Sequence, residues 1–221
     1  MTNLIELSGP TLAPASGGAA HSLVILLHGV GADGNDLIGL APNFARALPD
    51  TAFVSPNAPY PCDMAPMGYQ WFSIQTPDPA LRLAEIHRTA EILNGFIDAQ
   101  LDALGLKDDH LALVGFSQGT MMSLFTAPRR KHACAGIMAY SGRMEGGADL
   151  AAEIRSRPPV MMVHGDQDEL LPVTSMTDAA QRLRDNDIEV ETHVRPGLGH
   201  GIDEVGIQIG MKFLGQALGA D

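Results

Sequence analysis

The fold is decided by one stretch of the sequence, His110-Leu111-Ala112-Leu113-Val114-Gly115-Phe116-Ser117-Gln118-Gly119-Thr120. Its apolar first half has the length of a buried strand. The segment from Gly115 to Gly119 fits G-x-S-x-G, the pattern of a nucleophile elbow, in which a serine stands on a sharp turn between a strand and a helix. Because the chain has 24 glycines, the pattern alone is not specific, and a glycine-rich strand–helix turn is the alternative. The apolar residues from Met121 to Phe125 predict a buried helix, which favours the elbow.

Strand-like and helix-like patterns alternate along the rest of the chain. Further strands are predicted at 22–27, 52–55, 136–140, 160–163 and 188–194, and helices at 37–48, 80–104, 173–186 and 204–218. Asp36 and Asp203 are the expected N-caps of the first and last helix. This alternation predicts a mostly parallel sheet with helices on both faces, whose functional site lies beyond the carboxyl ends of the strands.

Length and composition are those of one globular domain spanning 1–221. The chain has 221 residues, of which 45% are hydrophobic, enough for a substantial core. Residues 1–21 are predicted to hold an edge strand, Asn3 to Leu7, and then a loop. A formal net charge of −12 argues against binding to nucleic acid or to anionic membranes, because both need basic surfaces.

Cysteine content and the N-terminal sequence favour a cytoplasmic protein. The chain has 2 cysteines, Cys62 and Cys134, which form no disulfide framework. The first twenty residues lack the basic and apolar regions of a signal peptide. The longest apolar run, Leu23 to Leu27, is too short for a transmembrane helix, so no stable membrane insertion is expected.

A nucleophilic serine needs a base, normally a histidine, and the base needs an orienting carboxylate. In chains with this elbow motif the three residues follow in the order serine, acid, histidine. Of the histidines after Ser117, we favour His200, because it lies on a glycine-rich loop just past a predicted strand. His132 belongs to a basic run, His193 lies inside a strand, and His164 precedes the candidate acids.

Two aspartates, Asp166 and Asp168, follow the predicted strand 160–163 at the expected edge of the sheet. Their spacing does not separate them, because Asp166 could equally bond amides of the turn. His164 and Asp168 are also an i, i+4 pair, but Gly165 argues against the helix that would bring them together as metal ligands. No metal or other cofactor is therefore expected.

Negative charge on a tetrahedral intermediate needs preformed N–H donors, each worth ~3 kcal/mol of the barrier. One donor is expected from the backbone of Gln118, the residue after the serine, and the second from the loop His28 to Gly31. For His28 itself we favour a structural role, tying this loop down by hydrogen bonds. The same loop lacks the Lys-Ser/Thr of a phosphate-binding loop.

Four motifs in this order resemble the phospholipase/carboxylesterase family, the small α/β-hydrolases that include acyl-protein thioesterases and lysophospholipases. The motifs are Leu27-His28-Gly29-Val30-Gly31-Ala32-Asp33-Gly34, Gly115-Phe116-Ser117-Gln118-Gly119, His164-Gly165-Asp166-Gln167-Asp168 and Gly199-His200. The resemblance extends from about residue 23 to residue 218 and implies an α/β-hydrolase fold without a large lid. It implies that Ser117 is the nucleophile, His200 the general base and Asp168 the triad acid, with Val30 and Gln118 as oxyanion-hole amides. Members of the family are often dimers, so a homodimer is an expectation of the same kind.

The chain departs from the family pattern at two places. The Trp-Phe/Tyr-Asp run is here Trp71-Phe72-Ser73, and the usual Gly-Gly after the serine is Gly119-Thr120. Trp71 lies in the long irregular segment 56–79, where it could line a substrate pocket, as Leu171 could, or merely anchor the segment.

The predicted function is hydrolysis of short- to medium-chain acyl esters through an acyl-enzyme. We prefer short chains because the segment 56–79 shows no long apolar stretch. Lysophospholipids and acylated proteins are the alternative substrates. A peptidase or acyltransferase using the same triad, and an inactive hydrolase-fold binding protein, are the alternatives from other classes.

Overall fold

The computed structural model describes residues 5–146 and 150–219. Its main sheet consists of β1 (Thr11–Leu12), β2 (Ser22–Leu27), β3 (Thr51–Val54), β6 (Leu111–Phe116), β7 (Gly136–Tyr140), β8 (Val160–Gly165) and β9 (Val190–Arg195). Their order across the sheet is β1-β3-β2-β6-β7-β8-β9. The pair β1–β3 is antiparallel and the other neighbours are parallel, as predicted. Between β3 and β6, strands β4 (Tyr60–Pro61) and β5 (Tyr69–Gln70) form a separate antiparallel hairpin.

Helices cover both faces of this sheet. They are α1 (Gly34–Ile38), α2 (Ala41–Phe44), α3 (Pro79–Leu104), α4 (Gln118–Thr126), α5 (Leu150–Glu153), α6 (Thr174–Arg184) and α7 (Glu204–Ala217). Helices α3, α4 and α6 pack on one face, where the larger apolar cluster lies. Helices α1, α2 and α7 pack on the other. No helix of these described parts is long and apolar enough to cross a bilayer.

The central strands are apolar throughout because both of their faces are covered. In β2 every residue is buried, and successive side chains enter opposite clusters. Leu23 and Ile25 face α3 and α4, whereas Val24 and Leu26 face α2 and α7. Such strands follow the rule that parallel sheets are buried on both sides. The sheet therefore holds the carboxyl ends of β2, β6 and β8 in fixed positions at one edge.

Most predicted elements are confirmed, with bounds shifted by a few residues, but the helix predicted over 37–48 is wrong. The chain forms the short helices α1 and α2 instead, and Pro42 lies in the first turn of α2. A proline inside a continuous helix would clash with the carbonyl four residues earlier, so the chain restarts there. Asp33, and not Asp36, caps α1 by accepting hydrogen bonds from the amides of Asn35 and Asp36.

The predicted N-terminal edge strand is also misplaced. Residues 5–7 are not in a strand, and Asn3 and Leu4 lie outside the described residues. The edge strand is β1, inside the stretch predicted as a loop, and it pairs with β3 through Thr11–Val54 and Leu12–Phe53. The prediction of the last helix is confirmed, since the side chain of Asp203 accepts a hydrogen bond from the amide of Gly206 at the start of α7.

Candidate active site

Ser117 occupies the predicted turn between β6 and α4. Its φ of 53° and ψ of −114° are strained for a residue with a side chain, at a cost of about 1–3 kcal/mol. Its amide donates to the carbonyl of Tyr140 at 3.0 Å, which helps to hold this conformation. A Cβ added at Gly119 would lie 1.8 Å from the carbonyl oxygen of Leu27, so only glycine fits there. These features are those of a nucleophile elbow.

Asp168 and His200 are brought together from different loops. The Nδ1 of His200 lies 2.7 Å from Oδ2 of Asp168, and the carboxyl side chain is fully buried. The other carboxylate oxygen accepts hydrogen bonds from the amides of Leu170 and Leu171, both at 2.9 Å. Burial acts to raise the pKa of Asp168, but the bonds from Leu171 and His200 outweigh it and hold the pKa below its usual value. Asp168 is therefore a carboxylate that orients an imidazole.

Asp166, the other candidate acid, has a different hydrogen-bond partner. Its side chain is exposed and accepts a hydrogen bond from the amide of Gly197 at 2.7 Å. This is the turn-bonding role that the sequence left open. The two aspartates are thus separated by their surroundings, one buried against His200 and one tying a surface turn.

His200 also lies beside the elbow. Its ring centroid is 5.0 Å from that of Phe116, the residue before Ser117. The hydroxyl of Ser141 donates to the carbonyl of Gly201 at 3.2 Å, which fixes the loop on the other side of the histidine. Since Nδ1 is engaged by Asp168, Nε2 is the nitrogen left to accept a proton. Of the other histidines after the serine, His132 and His193 are exposed.

The loop after β2 passes directly over the serine. A Cβ added at Gly29 would lie 3.3 Å from Cβ of Ser117. Among the described residues, neither the amide of Val30 nor that of Gln118 donates a hydrogen bond. The Gln118 amide is the first of α4, where a helix leaves its N–H groups unpaired. Both amides are free to bind an oxyanion.

His28 ties this loop down, as predicted. Its Nδ1 lies 2.8 Å from the carbonyl of Gly29, and its Nε2 accepts from the amide of Ala58 at 3.0 Å. Nδ1 must therefore carry the hydrogen of a neutral ring. Burial, opposed by the bond to Gly29, lowers the pKa of His28, which keeps the ring neutral.

The β4–β5 hairpin is bonded to the same loop through backbone groups. The amide of Gly31 donates to the carbonyl of Tyr69, and the amide of Tyr69 donates to the carbonyl of Ala32, both at 2.8 Å. A Cβ added at Gly68 would lie 2.1 Å from the carbonyl oxygen of Gly31, so the two backbones touch. The sequence predicted no regular structure here.

Trp71 anchors the segment that carries this hairpin. The side chain is fully buried, and its Nε1 donates to the carbonyl of His28 at 2.9 Å. The side chain of Gln118 accepts from the amide of Trp71 at 2.8 Å and donates to the carbonyl of Phe72 at 2.7 Å. Trp71 thus offers no surface to a ligand in this structure, which favours the anchoring alternative. Sequence reasoning missed this side-chain role of Gln118.

Two apolar features remain at the rim of the site. Leu171 is partly buried and packs against the larger apolar cluster, so it is still a candidate pocket residue. A cavity of about 220 Å³ lies beside Phe116 and is lined by Asp36, Leu37, Leu40 and Ile202. It is small and mostly apolar, as a site for a short acyl or alkyl group would be.

The chain is similar in sequence and in structure to known proteins. Residues 13–218 match the sequence model of a family described as phospholipase/carboxylesterase. Acyl-protein thioesterase 1 of Kluyveromyces lactis is 29% identical over 217 residues, covering 90% of this chain and 93% of that protein. Esterase YpfH of Escherichia coli is 28% identical over 196 residues, covering 88% and 82%. The crystal structure of esterase PE8 superposes with a TM-score of 0.91 at 41% identity, covering 97% of this chain and 100% of that one.

Proposed function

The chain belongs to the phospholipase/carboxylesterase family of α/β-hydrolases. We propose that it cleaves short- to medium-chain carboxylic esters with Ser117, His200 and Asp168 as its triad. The family makes it a carboxylesterase- or phospholipase-type hydrolase. The observation that carries the triad is the bond of 2.7 Å between His200 and the buried Asp168, set beside a strained serine.

In the proposed reaction each of these groups has one role. His200 Nε2 takes the proton of Ser117 as Oγ attacks the ester carbonyl carbon. The negative oxygen of the tetrahedral intermediate accepts hydrogen bonds from the amides of Val30 and Gln118, and Asp168 stabilises the imidazolium. His200 then protonates the departing alkoxide, which leaves an acyl-enzyme. Water, activated by the same imidazole, attacks the acyl carbon and restores Ser117.

A small apolar cavity beside Phe116, the residue before the serine, supports a preference for short acyl groups. The cavity beside Phe116 is about 220 Å³, and Trp71, the one tryptophan, is fully buried and does not extend the apolar surface. The proposed substrates are therefore esters with a small acyl part. Thioesters of acylated proteins are the second candidate, because a relative covering 90% of this chain is named an acyl-protein thioesterase.

The test combines active-site labelling with a chain-length series. A fluorophosphonate should label the wild-type protein at Ser117, and p-nitrophenyl esters of increasing acyl length should show kcat/KM highest for short chains. Ser117→Ala should lose labelling and turnover, and Ser16→Ala, at an exposed serine outside the proposed site, should keep both. Labelling at another residue would refute the triad. A rate that rises steadily with acyl length, or a preference for palmitoyl thioesters, would refute the substrate class.

A further inference from the structure

His164, at the end of β8, is a buried histidine that the proposed reaction does not use. The residue is 1% exposed. Its Nε2 lies 2.8 Å from the carbonyl oxygen of Leu171 and 3.1 Å from Oδ2 of Asp168. The same carboxylate oxygen lies 2.7 Å from Nδ1 of His200. Two histidines therefore meet on one oxygen of the acid.

The contacts of His164 determine where its hydrogen lies. A carbonyl oxygen only accepts hydrogen bonds, so the Nε2 facing Leu171 must carry the hydrogen. The same nitrogen lies 3.1 Å from Oδ2 of Asp168. Nδ1 has no hydrogen-bond partner among the described residues. The ring is therefore held by one bond, from Nε2–H to Leu171, with the same N–H beside the acid.

A comparison with His28 shows what is unusual about this arrangement. Both rings are buried, but His28 satisfies both nitrogens, as a structural histidine is expected to do. His164 leaves Nδ1 unpaired in the interior, which costs stability. Such a cost is typical of positions kept for function. The Nε2 of His164 lies 3.1 Å from the carboxylate that holds His200.

We propose that His164 is a positioning residue, which shares Asp168 Oδ2 with His200 and thereby sets how strongly the carboxylate holds the proton of His200. This inference rests on the proposed function. The carboxylate accepts hydrogen bonds from the amides of Leu170 and Leu171 on Oδ1 and from His200 on Oδ2, and Nε2 of His164 lies 3.1 Å from the same Oδ2. An N–H group this close draws negative charge from the carboxylate, as the three donors do. Removing the His164 N–H therefore leaves more charge facing His200.

Neighbouring ionisable groups are engaged elsewhere or exposed and would not mask this effect. Arg195 on β9 pairs with Asp203 at the start of α7, and the hydroxyl of Tyr140 on β7 donates to the carbonyl of Gly206. Asp166 bonds the amide of Gly197, and the neighbouring side chains of Glu169 and His193 are exposed. Substitution at 164 leaves these groups in place. A change in pH dependence would therefore come from Asp168 and His200.

The test compares His164→Leu and His164→Met, which remove the N–H, with His164→Gln, whose amide keeps a donor at similar reach. Met162→Leu is the control, because Met162 is equally buried, on the same strand and on the same face. We measure kcat/KM for a p-nitrophenyl ester against pH. In His164→Leu and His164→Met, the acidic limb of the pH profile of kcat/KM should move to higher pH by about half a unit, and kcat should fall about tenfold. The Gln variant should restore the limb, and the control should not move it.

A second readout does not depend on turnover. The proton between His200 Nδ1 and Asp168 gives a low-field NMR signal, which should move further downfield in the apolar variants as the bond strengthens. An unmoved limb and an unmoved signal in folded His164→Leu or His164→Met would overturn the proposal. If the wild type itself hydrolyses no ester, the proposed function fails, whereas the NMR signal still tests the role of His164.

Discussion

The γ-methyl group of Thr120 occupies the space that a side chain at Gly142 would need. A Cβ added at position 142 would lie 2.3 Å from that methyl carbon. The threonine hydroxyl is shared between the carbonyls of Gly115 and Tyr140, each at 2.8 Å, which fixes the rotamer. Thr120, at the position where the family usually has a glycine, is therefore accommodated by Gly142 in the loop after β7. It lies behind Ser117 and does not narrow the substrate side of that serine.

Gly142→Ala should lower the free energy of unfolding by about 1–3 kcal/mol, because the new methyl group overlaps Thr120 in a packed region. In the double variant, Thr120→Gly should recover part of the stability lost in Gly142→Ala. The recovery is only partial, since the carbonyl oxygen of Ser117 would remain 3.0 Å from the added Cβ. Urea unfolding of both single variants and of the double variant gives the coupling free energy between positions 120 and 142. Additive effects would show that the two positions do not compete for space.

Gly119→Ala should prevent folding, since its Cβ would lie 1.8 Å from a strand carbonyl that cannot move. Gly215→Ala in α7 is the matched control, because a Cβ there meets nothing within 4 Å and alanine favours a helix by about 1 kcal/mol. Soluble yield and the circular dichroism of the two variants check this. Folded, stable Gly119→Ala would show that the backbone at the elbow is not as tightly packed as described.

Asp168→Asn should lower kcat by about 10⁴, because the amide would favour the wrong tautomer of His200. Asp166→Asn should change kcat less than about threefold, since its contact to Gly197 is remote from the chemistry and an amide oxygen can replace it. Ester turnover by the two purified variants provides the comparison. Equal losses would remove the assignment of the acid.

Asp203→Asn tests a charge that stabilises the fold. The hydrogen bond from Arg195 lowers the pKa of Asp203; burial opposes it, and the amide of Gly206 adds to it. A lowered folded-state pKa contributes stability above the unfolded value of about 3.9, and this contribution is lost as pH falls through the folded value. Asparagine still caps α7, so the substitution removes mainly the charge.

The wild type should therefore exceed Asp203→Asn by under about 1 kcal/mol in free energy of unfolding at pH 7, because the pair is partly exposed. The difference should shrink as the pH falls below 3.8 through the folded-state pKa of Asp203. Urea unfolding at pH 7 and at lower pH measures it. A difference that persists at low pH would point to a lost cap and not to the ion pair.

The sheet could be predicted from sequence because its strands are short apolar runs, and burial on both faces leaves a signal in each of them. The break between α1 and α2 was readable in principle from Pro42. The β4–β5 hairpin was not, because each strand has two residues and the hairpin's position depends on backbone bonds to Gly31 and Ala32, more than thirty residues away in sequence.

The site shows the same division. Ser117 and His200 follow from motif and loop context, but Asp166 and Asp168 differ only in burial and in reach to His200, which sequence spacing does not contain. The chain order argues against His164 as the base of the triad, and its i, i+4 relation to Asp168 predicts a contact only within a helix. The structure brings the two together at a strand end and turn, a geometry without a sequence periodicity of its own.

The hairpin's attachment through main-chain groups has a consequence for how this enzyme could diversify. Gly31, Ala32 and Tyr69 hold it by peptide atoms, whose chemistry is the same whatever side chains the tip carries. Residues 64–67 can therefore be exchanged, lengthened or shortened while these backbone bonds stay in place. Variation at this tip would change the surface beside the loop 29–32 and leave the backbone of that loop as it is.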